Sequence, residues 1–242
     1  MSMALSPMGL LLLLCAPLLG YYAYRRYREY RRNTENHLDH YYFLAATAVS
    51  AAFLFYGLPG VLAPGQSDLV VVGAVAATGL NAFGFSHFFM AALYGYLPRA
   101  GFVVGKHLLY LTVIGIVAAL LITPPQSFVD ARGVIHWRFT TLTSFAMFSL
   151  IGAAFLLNIT LILKNMARLR KFSFRNAAAL VATFLATGIG GGYLYLGDDA
   201  DLLLGASALL ALGVAVIFIA SVIGALRPPS AAGPGDAREI IS

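Results

Sequence analysis

Long apolar runs, each ended by a short cluster of charged residues or of Pro and Gly, divide almost the whole chain. A helix needs about 20 apolar residues to cross the hydrocarbon core of a bilayer, and seven stretches approach or exceed that length. They run from about Met8 to Tyr24, Tyr41 to Leu62, Leu69 to Leu97, Phe102 to Thr123, Phe139 to Leu163, Ala177 to Leu196 and Leu202 to Leu226. The pattern predicts an all-α polytopic membrane protein: one domain over residues 1–226, with seven transmembrane helices in a bundle. The remainder, residues 227–242, carries Pro228, Pro229 and Pro234 among small residues and reads as a disordered tail.

The breaks between runs differ in charge, and the difference sets an orientation. Cytoplasmic loops accumulate Lys and Arg, whereas translocated loops do not. With the N-terminus outside and the C-terminus in the cytoplasm, only Arg132 and Arg138 of the 16 Lys and Arg residues fall outside. Asp68, Asp130, Asp198, Asp199 and Asp201 fall on the outer face. The first run lacks a preceding positive region and is followed by arginines, so it reads as a retained anchor rather than a cleaved signal.

Composition narrows the classes further. With 60% hydrophobic and 11% charged residues, the chain has too little polar surface for a water-soluble globule. Its single cysteine, Cys15, can form neither an internal disulfide nor a cysteine metal cluster. The net charge of +6 sits in runs beside apolar spans, which points to lipid headgroups and excludes nucleic acid as the expected partner. The connections are too short to hold a soluble domain, and together with the size of the chain this fits a bacterial inner (plasma) membrane.

Spans one to three and five to seven share a plan: an apolar helix, a basic loop, a helix rich in small residues, and a last helix entered through Asp-Leu. The basic loops are Arg25 to Arg32 and Lys164 to Arg175, and the entries are Asp68-Leu69 and Asp201-Leu202. This suggests a 3+1+3 repeat of the kind found in transporters, although any such triplet acquires basic inner loops by the charge rule. The topology is similar to several seven-helix families, but the residues of none are present. The last span has no lysine for retinal, the one Pro-Gln pair, Pro125-Gln126, lies in an outer loop, and no kinase or cyclase domain follows, as one would in a bacterial sensor.

Polar side chains in hydrocarbon cost free energy, so their positions are where chemistry is sought first. Acids and lysines are missing from the span centres, which argues against a pump built on a buried carboxylate. The richest cluster, Asn81 to His87 in span three, supplies ligand-binding candidates Asn81, Ser86 and His87, with Asn158 of span five. Adjacent residues lie about 100° apart on a helix, so Ser86 and His87 form no nucleophile–base dyad. The plainer reading of Asn81, His87 and Asn158 is interhelical hydrogen bonding that holds the bundle together.

His40 and His107 lie at similar depth near the inner ends of spans two and four, with His87 deeper, so the three are candidates for a haem or pigment site. Histidines without a cofactor are the commoner case at such positions, and the cofactor stays unknown. Tyrosines alternate with arginines after span one, which suggests a helix lying against the headgroups. Arg25, Arg26, Arg28, Arg31, Arg32, Lys164, Arg168, Arg170 and Lys171 are accordingly candidates for contact with lipid headgroups or with membrane or cytoplasmic proteins. The leading expectation is a non-enzymatic sensor or membrane subunit that docks partners through these basic loops. The alternatives are a small-solute transporter with a midplane site and a haem- or pigment-binding subunit.

Overall fold

The computed structural model describes residues 6–168 and 174–226. The tail read as disordered, residues 227–242, lies outside the described residues. Seven helices follow one another: α1 (Pro7–Arg32), α2 (His37–Leu62), α3 (Ser67–Tyr96), α4 (Arg99–Ile122), α5 (Thr141–Arg168), α6 (Phe174–Leu196) and α7 (Ala200–Leu226). Six of them are long and apolar enough to cross a membrane, while the qualifying apolar part of α6, Val181–Leu196, is shorter. The outer faces carry bare hydrocarbon: on α4 alone Val104, Leu108, Leu111, Ile114 and Leu121 are exposed. Contiguous apolar surface of this extent suits lipid and not water.

Local chemistry fixes where helices start and stop. Ser6 caps α1 by accepting a hydrogen bond from the Gly9 amide at 2.9 Å, and Pro7 supplies the fixed φ of a first helical residue. Pro98 ends α3, because the residue before a proline is pushed out of helical conformation, and α4 starts immediately after it. The tyrosine- and arginine-rich stretch after the first apolar run is not a separate surface helix. It forms the last turns of α1, which continues unbroken to Arg32.

Packing closes six of the helices into a ring. α1 packs on α2, α2 on α3, α3 on α5, α5 on α6, α6 on α7, and α7 returns to α1. α4 stays outside, mainly against α3, and buries only Leu109, Ile116 and Leu120. Glycines allow the closest crossings. A Cβ on Gly57 of α2 would stand 2.7 Å from the Gly9 carbonyl of α1, and one on Gly190 of α6 would stand 2.7 Å from the Ala206 carbonyl of α7.

The all-α expectation misses one element. Between α4 and α5 the chain forms an antiparallel hairpin, β1 (Gln126–Val129) and β2 (Ile135–Arg138), in the register Ser127 to Trp137 and Val129 to Ile135. Its turn is made by Asp130, whose Oδ1 accepts from the amides of Arg132 and Val134, and by Gly133 at φ 78°, a left-handed position that favours glycine. Ile135 and Trp137 are buried against the bundle, and the Ser6 hydroxyl donates to the Gly133 carbonyl. The hairpin therefore covers one end of the ring, and the basic ends of α1 and α5 mark the other.

Candidate functional site

Inside the ring lies a cavity of about 680 Å³ lined by residues of α1, α2, α3, α5, α6 and α7 and by none of α4. It can be followed from the hairpin end to the basic end.

Under the hairpin a layer of hydroxyls closes the ring. Trp137 packs on Tyr56 of α2 with ring centroids 4.4 Å apart. The Tyr56 hydroxyl is 2.6 Å from Thr78 Oγ1 on α3 and 2.8 Å from the Tyr195 hydroxyl on α6. Asn81 of α3 donates through Nδ2 to Tyr195 at 2.9 Å. All four side chains are buried, and they satisfy one another in a chain from Asn81 through Tyr195 and Tyr56 to Thr78. One atom is left over: Asn81 Oδ1 is buried and has no partner among the described residues. An unmet acceptor in such surroundings costs about 1–3 kcal/mol.

The middle of the cavity is aromatic. Phe88, Phe155 and Phe184 contact one another at centroid distances from 5.2 to 5.8 Å, which joins α3, α5 and α6. Gly84 and Gly191 leave the opposing walls thin. Among the described residues no charged side chain lines this part, so a fully ionised group would find no counter-charge there.

Charges return at the basic end, where Arg25, Arg26, Glu29 and Asp39 line the mouth. Arg26 of α1 pairs with Asp39 of α2 at 2.9 Å, and Asn36 donates to the other Asp39 oxygen at 2.6 Å. Arg25 donates to the Ser221 carbonyl of α7, which ties the mouth across the α7–α1 junction.

The sequence candidates divide between wall, frame and periphery. Asn81 lines the cavity. Asn158 stands behind the wall: it accepts from the Tyr42 hydroxyl at 2.8 Å and donates to the carbonyls of Phe88 and Ala154, both at 2.8 Å. It thereby joins α2, α3 and α5. Ser86 and His87 do not reach the cavity. Each bonds back to the Phe83 carbonyl, at 2.7 and 2.8 Å, and the His87 ring packs among Phe83, Tyr41 and Tyr110, the last of these on α4.

His40 lies beside the rings of Tyr30 and Tyr41, at 4.7 and 6.0 Å, while His107 occupies an exposed position on α4. Tyr41 packs against both His40 and His87, and no group of three or more potential metal ligands occurs among the described residues. Of the basic candidates, Arg25 and Arg26 are part of the mouth, Arg28, Arg31, Arg32 and Lys164 are exposed, and Arg168 ends α5. Arg170 and Lys171 lie outside the described residues.

A second polar cluster, which the sequence did not single out, fastens the hairpin to the α6–α7 connection. His136 stacks on Phe128 at 4.8 Å, with Nε2 3.3 Å from Asp130 and Nδ1 3.4 Å from Asp198. Arg138 pairs with Asp198 at 3.0 Å, and Arg132 pairs with Asp201 at 2.8 Å. Arg138 holds the Asp198 carboxyl below its ordinary value. Burial works against the Asp130 charge, but hydrogen bonds from the Val134 amide, His136 and the Arg132 amide outweigh it and hold that carboxyl low as well.

Compared with known proteins, the chain matches no protein-family model and no curated sequence.

Proposed function

We propose that the chain is an integral membrane carrier that binds a small, mainly apolar molecule at the centre of the ring, with seven spans and the basic end in the cytoplasm. The observation that carries this reading is the cavity itself: it is large enough for a small molecule and lies between the triplets α1–α3 and α5–α7. The ring order supports a two-fold relation between the triplets, because the junctions α3–α5 and α7–α1 are the pair such an axis would exchange. The hairpin end is closed by contacts that can be remade, namely hydroxyl hydrogen bonds and ion pairs, while the basic end has a charged mouth. Alternating access needs one closed end and one end that admits solute, with exchange between them.

The test is a cysteine placed at Thr187 on the cavity wall, in a Cys15→Ala background, with a membrane-impermeant thiol reagent applied to either face of sealed vesicles. Labelling from both faces is expected of a carrier. Labelling from the basic face alone would replace it by a sensor with one-sided access, and labelling from neither would mean that solute does not reach the cavity at all.

The second reading, a subunit or sensor that docks partners through its basic loops, draws on the exposed guanidinium groups of Arg28 and Arg31, each held near a tyrosine ring of α1 at 5.9 Å. Pulldown from native membranes with Arg28→Glu, Arg31→Glu separates the two: a docking protein loses its partner, whereas a carrier keeps its solute.

A further inference from the structure

If the cavity is a binding site, as proposed above, its dimensions and its unmatched polar atom constrain the occupant. Asp39 and Tyr56 mark its two ends on α2, and seventeen residues of helix separate them, about 26 Å at 1.5 Å per residue. The deep walls are phenyl rings, aliphatic side chains and small residues, so the body of the occupant is apolar and uncharged.

The closed end specifies the polar group. Tyr195 receives the Asn81 amide hydrogen and faces the Tyr56 hydroxyl, and Tyr56 faces Thr78, so the hydroxyl chain is internally matched. Asn81 Oδ1 is the unmatched atom, on a side chain only 4% exposed that lines the cavity. An orphaned acceptor is met by a donor, and the simplest neutral donor on an apolar body is an O–H. From this geometry we infer that the cavity takes an elongated neutral alcohol or phenol, inserted hydroxyl first, with the O–H donated to Asn81 Oδ1 and the hydrocarbon body between Phe88, Phe155 and Phe184. The far end of the molecule lies toward the charged mouth at Arg25 and Asp39.

The inference separates an alcohol from an isostere that cannot donate. The protein is placed in lipid nanodiscs, and binding of hexadecan-1-ol and of hexadecyl methyl ether is measured against empty nanodiscs to remove partitioning into lipid. The alcohol is expected to bind about tenfold more tightly than the ether, the magnitude of one neutral hydrogen bond made to a buried group. In Asn81→Leu the two should bind equally. Equal binding by the unaltered protein, or preference for the ether, overturns the donor assignment and leaves the cavity as a site of other chemistry. Binding of neither compound overturns the cavity reading as well. The comparison within the unaltered protein stands even where Asn81→Leu fails to fold.

Discussion

The hydroxyls of Tyr56 and Tyr195, 139 residues apart in the chain, lie 2.8 Å from each other at the centre of the ring. They come from the middle helices of the two triplets, so this hydrogen bond spans the bundle between helices that share no extensive packing. Interhelical hydrogen bonds in membranes average about 0.6 kcal/mol and reach about 1.7. Tyr56→Phe removes contacts to both Thr78 and Tyr195 and should destabilise by about 1–2 kcal/mol, with Tyr195→Phe similar because it also strands Asn81 Nδ2. The double variant should cost less than the sum of the two, a coupling of about 0.5–1.5 kcal/mol, read by reversible unfolding in mixed micelles.

Asn158 and His87 should behave differently although both are buried polar groups near mid-chain helices. Asn158 satisfies three partners on three helices, and Asn158→Leu is expected to lower stability by about 1–3 kcal/mol and to loosen the α3–α5 junction. His87 bonds to its own helix and packs toward α4, so His87→Phe should leave occupancy of the cavity unchanged. Ligand binding and thermal unfolding measured on both variants check the contrast. A loss of binding in His87→Phe with unchanged stability would show that the cavity does not hold the ligand.

Glycines at crossings and glycines on open faces predict opposite outcomes for the same chemical change. Gly190→Ala should destabilise by about 1–3 kcal/mol, because its methyl group would meet the backbone of α7, which cannot turn aside. A methyl group on Gly115 or Gly152 would meet nothing within 4 Å, so alanine there should be neutral or stabilise by up to about 1 kcal/mol. A melting-temperature series in detergent distinguishes them.

The hairpin clamp has a direction in pH. A carboxyl group whose folded pKa lies below its unfolded value stabilises the fold at every pH above the unfolded value, and that contribution disappears as the pH falls through the folded one. Asp130 and Asp198 are both held below the ordinary 3.8, so their contribution should be constant above about pH 4 and vanish in more acid solution. Trp137, the only tryptophan, sits on the hairpin against Tyr56 and reports the change by its fluorescence. Asp198→Asn should flatten the acid transition. An unchanged profile would mean that the contacts with Arg138 and His136 do not hold the hairpin.

The helices were legible in the sequence because lipid demands length and apolarity, and nothing else in the chain satisfies both. The ends were less so: α1 runs on to Arg32 because arginine and tyrosine are compatible with a helix whether it lies in lipid or beyond it. The hairpin escaped because four-residue strands carry little periodic signal, although Asp130 and Gly133 flanking a short turn were visible in the sequence. Asn81 stood out as an amide in an apolar run, but its partners did not. Tyr195 is near a span end, where a tyrosine is expected at the headgroups, and sequence position does not tell a ring turned outward from one turned inward. His87 illustrates the same limit. α3 buries residues all round its circumference, so no periodicity marks which of its faces looks into the ring.

α4 contributes no side chain to the cavity and closes no junction of the ring. In the seven-span arrangement proposed above its task is to cross once, so that the second triplet begins on the side where the first began. Its spelling is correspondingly permissive: apart from Leu109, Ile116 and Leu120, many greasy words would serve. Across diverging descendants of this chain, drift should run fastest along that helix and slowest among the tyrosines it never touches.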